Sequence, residues 1–411
     1  MEPTEFRYWS RIDEPAVRAA RTFAKRLFGF DPAPSEEVVR TFASMYYDAD
    51  PLAEAFVDEC FLARSYDEGR ALLERTLAEG VDAIPDAPAS LRALFADLDT
   101  DPTWVDRERV ARGAKVFRRW GTSVFRFAGA ITLAAYTESS VAKPLALTGA
   151  YAGASTRHRF LETASFWIDV SEPEGLQPGA AGRAAALRVR IMHVFVRRRL
   201  LGHPEWNLEA WGVPISQADA LLTLMGGSVA PGIGLHAMGF RTSTVEIEDA
   251  MHFWRYVGHL MGVRPRWFPS SVREGVQLAF LTFLKSADAA GDDGKRLCQS
   301  YVDAFTPADD PRRPWTRKVA DTLEHGVHRG YTRLFLPPHL YRKFELPPAG
   351  IWALHPIAWA PVVFAAETLR RRSSTLDRLA DRVARRQRRR WLDRQLEGKE
   401  ARFEPVRRFQ R

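Results

Sequence analysis

Two stretches flank the polar segment SEPEGLQPG (171–179), and both carry side chains at helical spacing. In the first, about Ala154–Val170, Arg159, Thr163 and Phe166 recur at i, i+4 and i+7 and share one helix face. In the second, about Gly182–Leu200, Val189, Met192, His193 and Val196 share a face. A short polar connection makes two such helices antiparallel neighbours. Arg159 and His193 each lie about 12 residues from the turn, which at about 1.5 Å per residue puts both at a depth of about 18 Å. An imidazole on an apolar stripe, opposite a guanidinium and a hydroxyl, suits a haem pocket. The imidazole ligates iron, the polar pair holds or polarises dioxygen, and apolar walls exclude water. A core histidine bonded to a carbonyl has the same sequence pattern, and the spacing alone leaves both readings open.

Other constellations compete. Glu248 and His252 stand at i, i+4, with His259 one heptad on; Asp321/His325 and Glu324/His328 are two more such pairs. A di-iron bundle uses carboxylate–histidine pairs at i, i+3, and only Asp249–His252 has that spacing. The glycine-rich GGSVAPGIG (226–234) has no preceding strand and no Lys-Ser/Thr ending, which argues against phosphate binding. No G-x-S-x-G elbow occurs. Cys60 and Cys298 are too few for a disulfide framework, so a reducing compartment is expected. Arg197, Arg198 and Arg199 are expected to cap the C-terminal end of their helix.

The elements that must position these groups read as helices throughout. Breaks fall at DPAPSEE (31–37), PDAPAS (85–90), DPTW (101–104), GHPEWN (202–207), APGIG (230–234) and TPADDPRRP (306–314). Ser35 is placed to cap a helix with Glu36 and Glu37 in its first turn. Alternating strand-type runs are scarce. The expectation is an all-α protein: a single large helical domain with a globin-like core and additional N- and C-terminal helices. It divides into an N-terminal helical arm (1–99), a catalytic core (100–350), and an apolar segment with a basic C-terminal tail (351–411).

Charge is unevenly placed. The net of +8 divides into +10 for residues 370–411 and −2 for the rest, so no nucleic-acid partner is expected of the body. Residues 349–366, AGIWALHPIAWAPVVFAA, carry no formal charge, but Pro356 and Pro361 interrupt them; a buried or membrane-dipping segment is expected rather than a span. The basic helix that follows, with Leu376, Leu379 and Val383 on one face, suits an anionic membrane surface. The N-terminal sequence lacks the apolar core of a secretory signal, so a cytoplasmic location, peripheral at a membrane, is expected.

Seven segments, in order, resemble the latex-clearing proteins and the related fungal mycophenolate-pathway oxygenases. They are DPTWVDRERVARGAKVFRRWG (101–121), KPLALTGAY (143–151), RFLETASFWIDV (159–170), LRVRIMHVFVRRRL (187–200), WGVPISQADALLTLM (211–225), FWRYVGHLMGV (253–263) and LFLPPHLYRKFELPP (334–348). The resemblance implies a globin-like helical core, haem b, and oxidative cleavage of carbon–carbon double bonds. It implies His193 as the axial iron ligand, Arg159 and Thr163 as the distal pair, and Thr223 as a further pocket threonine.

This sequence departs from that pattern. The rubber-cleaving members have a lysine just before the distal threonine, where this chain has Glu162. Their upstream base glutamate falls near Lys143 here, and Glu138 is the nearest carboxylate. The expected function is therefore a haem b-dependent oxygenase using dioxygen on an apolar small molecule, isoprenoid or lipid-like. The alternatives are a non-haem iron oxygenase on the same helices, or a non-catalytic helical protein binding membranes or partners. Glu162 joins Arg159, Thr163 and Thr223 as candidate catalytic residues, and Phe166 joins His193 and Arg159 in lining the cofactor.

Overall fold

A computed structural model describes residues 1–149 and 155–399; Tyr151 of the second family-like segment and the last basic residues, from Arg402 on, lie outside the described residues. No strand occurs among the described residues, and the all-α expectation holds. The N-terminal part supplies α1 (Pro15–Phe28), α2 (Glu36–Ser44), α3 (Pro51–Val57), α4 (Tyr66–Glu79) and α5 (Ala89–Asp99). Then come α6 (Arg107–Arg119), α7 (Ser123–Ala135), α8 (Ser139–Thr148), α9 (Ser155–Ser171), α10 (Ala181–Leu201), α11 (Gln217–Gly226) and α12 (Thr244–Leu260). The C-terminal part adds α13 (Val272–Lys285), α14 (Gly291–Asp303), α15 (Trp315–Phe335), α16 (His355–Arg370) and α17 (Ser374–Leu396).

Local chemistry sets many of these starts. Ser35 accepts from the Val38 amide as expected, and Asp50, Ser65, Asp106, Ser216 and Ser271 do likewise for their own helices. Ser243 and Glu246 form a reciprocal capping box at α12. The PDAPAS break differs: α5 begins at Ala89 without a side-chain cap, and the Ser90 amide donates instead to Glu59.

One continuous apolar core runs from Tyr8 to Leu392. The segments before residue 100 and after residue 350 therefore share it. The closest helix crossing joins α6 and α12, where a Cβ on Gly113 would lie 2.0 Å from the Asp249 carbonyl oxygen. The helical run 217–238 is long and apolar enough to cross a membrane, yet more than half of it is buried among other helices.

The C-terminal expectations need two corrections. Residues 349–366 are mostly not buried: they form a 3-10 turn (Gly350–Leu354) and most of α16, and apart from Ala349 and Pro356 their apolar side chains stand largely exposed, which removes the buried alternative and not the membrane-dipping one. Nor is the basic run through α17 a free tail, because α17 packs on α9 and α6. Trp391, Leu392 and Ala384 are buried there, and Trp391 stacks on Phe125 at 5.2 Å. The buried Arg388 donates to the Ser171 hydroxyl at 2.9 Å, while Arg385 pairs with Glu172 and Arg389 with Asp169.

Candidate active site

The α9–α10 hairpin keeps the depth that the spacing predicts. Gly182 brings the two backbones into contact, since a Cβ there would lie 2.6 Å from both the Asp169 and Gly175 carbonyl oxygens. The Arg183 amide donates to the Gly175 carbonyl at 2.9 Å and locks the turn. Arg159 stands twelve residues before the end of α9, and His193 twelve after the start of α10. Both therefore lie about 18 Å from the turn.

On α9 three candidates come together. The Arg159 guanidinium donates to the buried Glu162 carboxylate at 2.8 Å, and His158 Nε2 lies 3.5 Å from its other oxygen. Thr163 Oγ1 donates back to the Arg159 carbonyl at 3.1 Å, a bond that a hydroxyl can exchange by rotating. Phe166 is buried in the core. The half-buried aromatic is its neighbour Trp167, which meets Phe117 and Trp254 edge-on at 5.5 and 5.4 Å. Thr223 stands apart on α11, exposed, with its hydroxyl on the Asp219 carbonyl; that helix packs chiefly on α12, α7 and the turn Met45–Tyr47.

His193 is half-buried on α10 and has no hydrogen-bond partner among the described residues. Burial, reinforced by the Arg197 cation one turn on and opposed by Asp50, lowers its pKa to about 4. At neutral pH it is an uncharged imidazole with a lone pair to offer, the form that binds iron. Its helix is held firmly. Arg190, one turn earlier, grips Asp50 with two bonds of 2.7 and 2.9 Å and reaches Asp97 at 3.1 Å. Arg197 donates to the Pro214 and Ile215 carbonyls and to Glu54. The expected position at the C-terminal end of the helix holds for Arg198 and Arg199, which lie in its last turn, but Arg197 is instead a buried clamp, and Arg198 also pairs with Asp58. Sequence reasoning missed Asp50 because its partner lies 140 residues away. The available signal was an arginine on either side of His193, at i−3 and i+4, within an apolar helix. Buried guanidinia require partners.

These residues fit haem b. A neutral imidazole with no hydrogen-bond partner among the described residues sits on a clamped helix, at the same depth as the guanidinium and hydroxyl of the helix packed against it. The competing carboxylate–histidine pairs are committed elsewhere. Asp249 binds Arg109 and Arg112, and Glu248 accepts from the Val272 amide. Asp321 binds Arg313, and Glu324 binds Arg126 and the Trp391 indole. His252 accepts from the Asp106 amide. Among the described residues no group of three His, Cys, Asp or Glu side chains could hold a metal ion. The upstream glutamate position is likewise spoken for: Lys143 pairs with Asp293 and Glu205, and Glu138 with Lys285.

Comparison with known proteins identifies the family. The sequence profile of the family described as "ER-bound oxygenase mpaB/B'/Rubber oxygenase, catalytic domain" matches residues 114–371. The rubber oxygenase of Streptomyces sp. (strain K30) is 26% identical over 189 residues, 45% of this chain and 46% of that protein. The chain thus matches about half the length of that curated relative. The structure of latex clearing protein LCP in the closed state superposes with a TM-score of 0.56 at 19% identity, over 83% of this chain and 91% of the other. That likeness shows a shared fold. With α7 to α16 inside the matched span, the chain belongs to the mpaB/rubber oxygenase family and carries its oxygenase catalytic domain.

Proposed function

We propose that this protein is a haem b-dependent oxygenase that attacks a carbon–carbon double bond of an apolar, polyisoprene-like or lipid-like substrate. The observation that carries the reading is His193: a neutral imidazole without a hydrogen-bond partner among the described residues, at the depth of Arg159 and Thr163, within an oxygenase catalytic domain. Haem b, when bound, supplies the redox-active iron at which dioxygen is activated. His193 would hold that iron, and the Asp50–Arg190 and Arg197 clamps fix the imidazole's position. Arg159 presents guanidinium donors, and Thr163 a hydroxyl, to orient an oxygen-bearing ligand. Glu162 balances the Arg159 charge and holds its side chain in place. Trp167 and Phe166 offer apolar surface that would hold an alkene and exclude water.

An absorption spectrum of purified protein, with haem stoichiometry, tests this reading. A Soret band is expected in the wild type and in His252→Ala and His325→Ala, and it should be lost in His193→Ala. Haem retained by a folded His193→Ala variant would overturn the ligand assignment. Iron without a Soret band would select the non-haem reading instead.

A further inference from the structure

We propose that α16 and the outer face of α17 dock the protein onto an anionic lipid bilayer, with α16 lying in the membrane interface. The inference is independent of the haem reading. No charged side chain occurs from Ala349 to Ala366. α16 rests on the protein by one side, where Gly239 meets the Ala360 backbone and Gly330 adjoins Pro356. Its other side faces outward with Ile357, Trp359 and Val362 exposed by 53%, 51% and 55%, and the preceding turn presents Ile351 at 79%. An isolated exposed apolar residue is ordinary, but a whole helix face of them marks an interaction surface.

α17 continues this surface and supplies its charge. Leu376, Leu379 and Val383 are exposed at i, i+3 and i+7. The same helix sorts its arginines. Arg388, fully buried, meets Glu172, as does the half-buried Arg385, and the exposed Arg389 meets Asp169. The outward Arg382, Arg386 and Arg390 are exposed, and their side chains meet no carboxylate among the described residues. Apolar side chains beside arginines that meet no carboxylate among the described residues match the chemistry of an anionic bilayer surface. A second copy of the chain is a poorer occupant, because a two-fold contact would set these arginines against themselves. At 16 residues α16 is about 24 Å long. That is shorter than a hydrocarbon core of about 30 Å, and Pro361 interrupts it, so it suits the interface better than a span.

Co-sedimentation of the full-length protein with phosphatidylcholine vesicles, with and without phosphatidylserine, tests the proposal. Binding is expected only with phosphatidylserine, and it should fall at least about tenfold as salt screens the surface. Ile357→Ser/Trp359→Ser/Val362→Ser and Arg382→Ala/Arg386→Ala/Arg390→Ala should each weaken it at least about tenfold while keeping the wild-type circular dichroism. Failure of the wild type to sediment, or equal sedimentation with neutral vesicles, would overturn the proposal. So would a dimer in light scattering that Trp359→Ser disperses while vesicle binding persists.

Discussion

The Arg159 guanidinium donates to the Glu162 carboxylate at 2.8 Å, one turn along the same helix, where rubber-cleaving relatives are expected to carry lysine in place of the acid. The pair neutralises itself within the candidate site. Removing the carboxylate leaves a largely buried cation with less compensation. Glu162→Ala is expected to destabilise by about 2–3 kcal/mol, and Glu162→Gln, which retains an acceptor, by about 1 kcal/mol, measured by urea denaturation. If haem is bound, imidazole should shift the Soret band of the ferric protein, and Glu162→Lys should weaken that binding. A wild-type spectrum that imidazole leaves unchanged would count against an open sixth position.

Asp50 and Arg190 form a buried bidentate pair, and removing the Asp50 carboxylate leaves the buried Arg190 cation with Asp97 only of these two partners. Asp50→Asn is expected to cost about 3–5 kcal/mol. Because Arg190 lies one turn from His193, the variant should also loosen any bound haem, seen as faster haem transfer to apomyoglobin. Loss of stability without faster transfer would separate the clamp from the site.

Truncation after Glu367 is expected to unfold the protein or lower its stability by at least about 3–5 kcal/mol. It removes the buried Trp391, Leu392 and Arg388 from the face of α9. Near-wild-type thermal unfolding of the truncated chain would show that this packing contributes little to stability.

His259 and His328 are buried, and burial lowers each pKa to about 4. Such histidines take up protons more readily when the chain unfolds, near pH 6.5. Their contribution is therefore complete above pH 6.5 and declines as pH falls toward 4. At pH 5 each costs about 2 kcal/mol relative to neutral pH. His259→Leu should flatten the fall in denaturation midpoint between pH 7 and pH 5; an unchanged slope would assign the acid sensitivity to other groups.

The hairpin was legible in the sequence almost to the residue. Two apolar periodicities flanked a loop rich in Gly, Pro and Glu, and short-range signals of that kind fix helix ends. Ser35 capped where its spacing said it would, for the same reason. The long-range ion pairs left no such trace. Nothing local tells that Arg388 is buried against Ser171 while Arg386, two residues earlier, faces outward, because an arginine run looks uniform until the helix docks. The same holds for Asp50, which reads as a helix cap and also serves as the partner of Arg190. Phe166 and Thr223 were chosen by helix periodicity and by family likeness. Periodicity places Phe166 on the helix of Arg159 and Thr163, where it is buried, and the half-buried Trp167 stands next to it in sequence.

Arg388 closes over Ser171 across 217 residues of chain. During synthesis at about 5–20 residues per second, the helix carrying Arg159 therefore waits roughly 10–40 s for the segment that covers it. Throughout that interval the face later occupied by Trp391 and Leu392 is open to chaperones. The site's helix thus reaches its final surroundings only late in translation, and a stall before α17 would leave the nascent chain with an uncovered apolar flank.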